Sequence, residues 1–267
     1  MTLRPNPYDA TAPYQTFLEV ISIQGQVLGV LSSIPLQEAR LSPDRDRIAF
    51  VRQGFGGLSV HNFATGATAF MLGSSFFRSL SWMPDGASIF AQSDEDLAII
   101  DTSTETVVSS IPCHELLGQD EPDCFDPALS PDGRWIAVYY TRGISTGHPS
   151  DGAYLVAAEC LRSVPCSRPA RRLPVFLSGP RAWAPSGSTL ASWVTYLFDV
   201  DAWTSRSIGP PETSAESVLW FPDGSGLVWT DSYRLRTIVI GTGQVADLLH
   251  SPLPLTLQFS VVVPLDP

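Results

Sequence analysis

A ten-residue pattern that recurs five times limits what this chain can fold into. LSPDRDRIAF starts at Leu41, WMPDGASIFA at Trp82, LSPDGRWIAV at Leu129, WAPSGSTLAS at Trp183 and WFPDGSGLVW at Trp220. The copies align without gaps on Pro43, Pro84, Pro131, Pro185 and Pro222, at steps of 41, 47, 54 and 37 residues. Each column has a physical reason. Two residues before the proline stand Leu41, Trp82, Leu129, Trp183 and Trp220; five after it stand Ile48, Ile89, Ile136, Leu190 and Leu227. Between these apolar anchors the chain must reverse. Proline presets φ, aspartate suits the next turn position, and glycine supplies the left-handed conformation that closes a hairpin. Asp44, Asp85, Asp132 and Asp223, with Gly86, Gly133, Gly187 and Gly224, are therefore read as structural turn residues. Arg45 replaces the glycine in the first copy, so that turn is expected to be strained or differently shaped.

A second hairpin follows each copy. LSVHNFATGATAF from Leu58, LAIIDTSTETVVSSI from Leu97, YLFDVDAWTSRSI from Tyr196 and RTIVIGTGQVADLL from Arg236 place alternating apolar residues around a small polar turn. In the third copy the pair is stretched, with AYLVAAEC from Ala153 and RRLPVF from Arg171. Each unit supplies four short antiparallel strands, and units of this size stack radially into a β-propeller. The G-H…W-D signature of WD40 repeats is absent.

The S-P-D-G turn followed by I-A-F resembles the PD40, or TolB-like, propeller repeat, over nearly the whole chain from about Phe17 to Val263. Pro185-Ser186-Gly187 departs from that pattern by lacking the aspartate, and Pro43-Asp44-Arg45 by lacking the glycine. The resemblance implies an all-β propeller. It also implies a protein-interaction role, since that family includes periplasmic interaction modules, but its partner-binding residues have no counterparts to carry over.

Repeats are read at 40–72, 79–112, 126–176, 180–209 and 217–250, within one domain over 17–267 that follows an extended segment, 1–16. FLEVISIQGQVLGVL from Phe17 reads as an outer hairpin, and LTLQFSVVV from Leu255 as inner strands. Residues 17–34 and 254–264 would together complete one more blade. The expectation is thus a six-bladed β-propeller of four-stranded antiparallel blades, closed by pairing N-terminal strands with the C-terminal strand.

Charge narrows the partners. The formal net charge is −11 and all 16 basic residues are arginine. Nucleic acid and anionic membranes need a basic footprint, so neither is an expected partner. No apolar run reaches the ~18 residues of a membrane-spanning helix, so no membrane insertion is expected. MTLRPNPYDATAPYQ has no apolar core of the kind an export signal carries. Cys113, Cys124, Cys160 and Cys166 lack the usual zinc spacing and are read as two local disulfides, which imply an extracytoplasmic location, periplasmic or secreted. The alternative is four buried thiols in a reducing compartment.

In a four-stranded meander the proline turns ring one face, and the longer connections gather on the other. There, IPCHELLGQDEPDCFDP from Ile111 carries Glu115, Asp120, Glu121, Asp123 and Asp126 beside the TRGISTGHPSDG loop with Arg142, His148 and Asp151. Irregular loops on a rigid scaffold collect binding residues, so this acidic patch is the candidate binding site. Calcium is a weaker reading, because the D-x-[DN]-x-[DN]-G loop is absent. Arg162, Arg168, Arg171 and Arg172 form a basic spot on the turn face that could dock a carboxylate. No catalytic residue, metal site or cofactor is assigned. His61, His114, His148 and His250 have no metal-like spacing, and the G-x-S-x-G elbow of α/β-hydrolases is missing. The expected function is a non-catalytic, monomeric binding or scaffold propeller for a protein or glycan of the cell envelope. The alternatives are a propeller hydrolase or lyase acting on a carbohydrate or lactone, and the gating propeller of a peptidase without its catalytic domain.

Overall fold

A computed structural model describes residues 2–4, 15–21, 27–32, 36–52, 56–72, 77–93, 96–118, 124–140, 152–162, 166, 168–173, 181–192, 196–208, 215–231 and 234–250. The fold is an all-β propeller with five four-stranded antiparallel blades. Blade 1 contains Leu36–Leu41, Arg47–Arg52, Gly56–Asn62 and Thr68–Leu72. Blade 2 contains Phe77–Trp82, Ser88–Ser93, Asp96–Asp101 and Thr106–Pro112. Blade 3 contains Cys124–Leu129, Trp135–Tyr140, Gly152–Ala157 and the two-residue strand Arg171–Arg172. Blade 4 contains Arg181–Trp183, Thr189–Ser192, Tyr196–Asp199 and Thr204–Ser207. Blade 5 contains Ala215–Trp220, Gly226–Asp231, Arg234–Val239 and Gln244–His250.

Among the described residues there are five four-stranded blades, not the expected six. Gln15–Ile21 and Val27–Ser32 belong to a three-stranded sheet whose remaining strand is Thr2–Arg4, with Thr2 opposite Phe17 and Arg4 opposite Gln15. Backbone groups of Gln15–Ile21 thus pair with the N-terminal strand; residues 254–264, expected to complete that blade, lie outside the described residues.

The repeat columns are cross-strand partners. Leu41 faces Ile48, Trp82 faces Ile89, Leu129 faces Ile136, Trp183 faces Leu190 and Trp220 faces Leu227. The first strands of successive blades lie against one another, which makes them the innermost strands of the arc. Side chains alternate between the two seams of each blade, as the period of a strand requires. In blade 2, Ile89, Ala91 and Ile100 pack toward blade 1, whereas Phe90, Leu97 and Ile99 pack toward blade 3. The core is therefore a series of inter-blade layers. At ~25 cal/mol per Å² these layers are the main source of stability.

Candidate functional site

On the turn face, the aspartates are engaged locally. One Oδ1 accepts the N–H two residues on in each case: Asp44 from Asp46 (3.2 Å), Asp85 from Ala87 (2.8 Å), Asp132 from Arg134 (3.0 Å) and Asp223 from Ser225 (2.9 Å). Ser186 Oγ accepts from Ser188 N–H at 3.4 Å in the same way. The Ser42 hydroxyl holds the Asp44 carboxyl below its usual range, and the Ser225 hydroxyl does so for Asp223. Partial burial pushes Asp132 up, but the Ser130 hydroxyl and the Arg134 N–H and guanidinium outweigh it, and its carboxyl is also lowered. These are acceptors locked in turns, poorly suited to proton transfer.

Arg45 adopts φ 64°, the left-handed conformation of its glycine counterparts, and closes the same hydrogen bond, to Ser42 O at 2.9 Å. The first turn is therefore shaped like the others, with a non-glycine residue in a strained region. Its side chain is exposed, whereas Gly86 and Gly187 are buried against the preceding blade's turn. Each second hairpin also docks on this face, through bonds such as Phe63 N–H to Asp46 O (2.9 Å) and Val200 N–H to Ser188 O (2.9 Å). The basic spot is partly engaged: Arg168 pairs with Glu159 at 3.2 Å, and the Arg171 guanidinium lies 3.4 Å from the centre of the Trp203 ring.

On the opposite face, Glu115 is exposed on the short helix Cys113–Leu117, which buries Leu116 and Leu117 between blades 2 and 3. The Cys113–Cys124 and Cys160–Cys166 disulfides are formed. Asp120, Glu121, Asp123, Arg142, His148 and Asp151 lie outside the described residues.

A polar cluster of which the sequence reading named only Asp126 lies on the innermost strands. The first strand of blades 1, 2, 3 and 5 shifts register near its loop-side end, between Leu36 and Glu38, Arg78 and Ser81, Phe125 and Ala128, and Ala215 and Ser217. These bulges place Ser79 (φ 57°) and Asp126 (φ 47°) in the left-handed region, and such strain is typical of functional positions. Glu38 is 4% exposed and pairs with Arg40 at 2.9 Å. It also accepts the backbone N–H groups of Ser79 and Leu80, so it bridges blades 1 and 2. Burial raises its carboxyl above the usual range, against the lowering effect of Arg40 and the two amides; Asp126 adds to the rise. A signal was present: Glu38, Ser79, Asp126 and Ser217 all stand five residues before the repeat proline, in a column where only Pro180 of the fourth copy is not polar. Of the two carboxylates, Glu38 is buried against Arg40 and the two amides, and Asp126 is exposed. Among the described residues, no group of three or more His, Cys, Asp or Glu side chains is arranged to hold a metal ion.

The fold is that of TolB-like propellers. TolB from Acinetobacter baumannii aligns with a TM-score of 0.65 at 18% identity, covering 95% of this chain and 63% of that one. This chain thus spans less than two thirds of the TolB structure. The β-propeller domain of Myceliophteria thermophila Cps50 (Swd1) aligns with a TM-score of 0.55 at 16% identity, over 82% of this chain and 70% of that one. Kuenenia stuttgartiensis hydrazine synthase aligns with a TM-score of 0.55 at 16% identity, over 89% of this chain and 78% of that one. No family model and no curated protein matches the sequence.

Proposed function

We propose that this chain is a binding or scaffold propeller of the cell envelope that holds a protein or glycan partner on its loop-bearing face. The observation that carries this reading is the engagement of the repeat's regular polar groups. The turn carboxylates accept N–H groups of their own turns, so they serve the ring, and recognition is left to the irregular connections between strands. The two disulfides support an oxidising compartment, and the TolB-like fold supports an interaction role. The binding residues on this reading are Glu115, Asp120, Glu121 and Asp123 with Arg142, His148 and Asp151. An acidic surface of this kind attracts a basic partner and makes capture salt-dependent.

The test is capture from an envelope extract by the intact chain, quantified beside a charge-reversed variant carrying Glu115→Lys, Asp120→Lys and Glu121→Lys. A defined partner retained by the wild type and reduced at least about tenfold by the variant, an energy of ~1.4 kcal/mol, supports the reading. Equal retention by both proteins moves the site elsewhere. Turnover of a carbohydrate or lactone that is lost on mutation of Glu38 or Asp126 would replace binding with catalysis.

A further inference from the structure

The seams between blades are not latched alike. The Trp82 Nε1–H donates to Arg40 O, Trp183 Nε1–H to Ala128 O and Trp220 Nε1–H to Ala182 O, each at 2.9 Å. In repeat terms, the indole two residues before the proline reaches the carbonyl three residues before the proline of the preceding blade. Seams 1–2, 3–4 and 4–5 share this bond. At seam 2–3 the donor column holds Leu129, which is buried in the layer between blades 2 and 3 and whose side chain has nothing to donate. The same seam carries the Cys113–Cys124 disulfide, which joins the residue after the outer strand of blade 2 to the first residue of blade 3. Gln92 Nε2–H of blade 2 also donates to Cys124 O at 2.9 Å, so the disulfide fixes the acceptor of a hydrogen bond that reaches the first strand of blade 3. Farther out on this seam, the Ser109 hydroxyl of blade 2 donates to Leu161 O.

We propose that, among the described seams, the one between blades 2 and 3 is redox-dependent, with a disulfide taking the place of the tryptophan latch. The reaction needs a dithiol, either a small molecule or a redox protein's cysteine pair. Its thiolate attacks one protein sulfur, the S–S bond breaks, and the other cysteine leaves as a thiolate and takes up a proton. The second thiol of the reductant then expels the first protein cysteine. The protein gains two electrons and two protons as two thiols, and the reductant becomes a disulfide. Cys113 and Cys124 are 1% and 7% exposed, so the reductant reaches them when the seam opens. Once reduced, the short helix Cys113–Leu117 and the first strand of blade 3 lose their covalent tie and rely on apolar packing and the Gln92 bond. Seams with indole latches contain no sulfur bond and do not respond.

The test uses the full chain with Cys160→Ser and Cys166→Ser, which leaves a single disulfide, and compares amide hydrogen exchange with and without a millimolar dithiol. Reduction is expected to accelerate exchange at least about tenfold at 113–117 and 124–129, and to leave 36–41 and 215–220, away from this seam, unchanged. Uniform acceleration, or none with both thiols alkylatable, overturns the proposal. Adding Leu129→Trp to the same protein supplies the missing donor toward Ser81 O, the equivalent carbonyl of blade 2. Slow exchange in the reduced protein is then expected. A folded Leu129→Trp protein that still responds to the dithiol defeats the equivalence of disulfide and indole; if that variant does not fold, the first comparison decides.

Discussion

Glycine is favoured in the repeat turns for two separable reasons. Gly187 has φ 77°, and a Cβ there would lie 2.6 Å from Asp132 Oδ2 of the preceding blade's turn. Gly224 has φ 74°, but the nearest atom a Cβ would meet is Pro185 Cδ at 4.0 Å. The left-handed conformation costs an alanine ~1 kcal/mol at either position. Only Gly187→Ala must also push back a carboxylate already held by Ser130 at 2.6 Å and by Arg134. Gly187→Ala is therefore expected to destabilise by ~2–4 kcal/mol and Gly224→Ala by ~1 kcal/mol, in denaturant unfolding of the two variants. Equal losses would mean that backbone strain alone explains the glycine column. Arg45 fits the same account: with its side chain exposed, only the strain remains.

Among strands, the tryptophan column does more than pack. The sequence alignment shows Trp82, Trp183 and Trp220 as apolar anchors, and the structure adds that each indole satisfies a carbonyl of the neighbouring inner strand. Trp183→Phe keeps most of the ring's area and leaves Ala128 O without that donor. Ala128 also pairs with Ala137 in the strand ladder, so thermal or urea unfolding is expected to show a loss of ~0.5–1.5 kcal/mol, the range for one net hydrogen bond. The hairpins were legible because proline turns and period-two alternation are local signals. The blade count was not, because it depends on which distant strands meet. Thr2–Arg4 is three residues long, too short to show alternation, yet it supplies the partner of Gln15–Ile21. The axial cluster was hidden for a related reason: a bulge breaks alternation, and only the fold reveals that Glu38 reaches the Ser79 and Leu80 amides of the next blade. The disulfide pairing was legible from spacing, whereas its place in an otherwise tryptophan-latched series was not.

For the whole molecule, buried and turn carboxylates pull stability in opposite directions with pH. Asp44, Asp132 and Asp223 are lowered from 3.8, and Asp101 is lowered to about 2 by the Ser103 hydroxyl and the amides of Ser103 and Thr104. Their contribution is present above pH 3.8 and is lost as pH falls through their lower folded values. Glu38 has the opposite sign. Burial raises it above 4.5, so the folded chain holds a proton that the unfolded chain has released. Stability therefore falls as pH rises from 4.5 toward the folded value of Glu38, and recovers on acidification through the same window. Glu38→Gln removes that titration and retains an oxygen that can accept from Ser79 and Leu80. Melting temperatures measured between about pH 4.5 and 7 should decline with rising pH in the wild type and less steeply in the variant, other groups being common to both. Below about pH 4 both proteins should lose stability together, because the turn aspartates are unchanged. Parallel curves above pH 4.5 would place the Glu38 carboxylate in a solvated site. A flatter variant curve would instead show that the innermost strands carry a buried acid whose charge opposes folding.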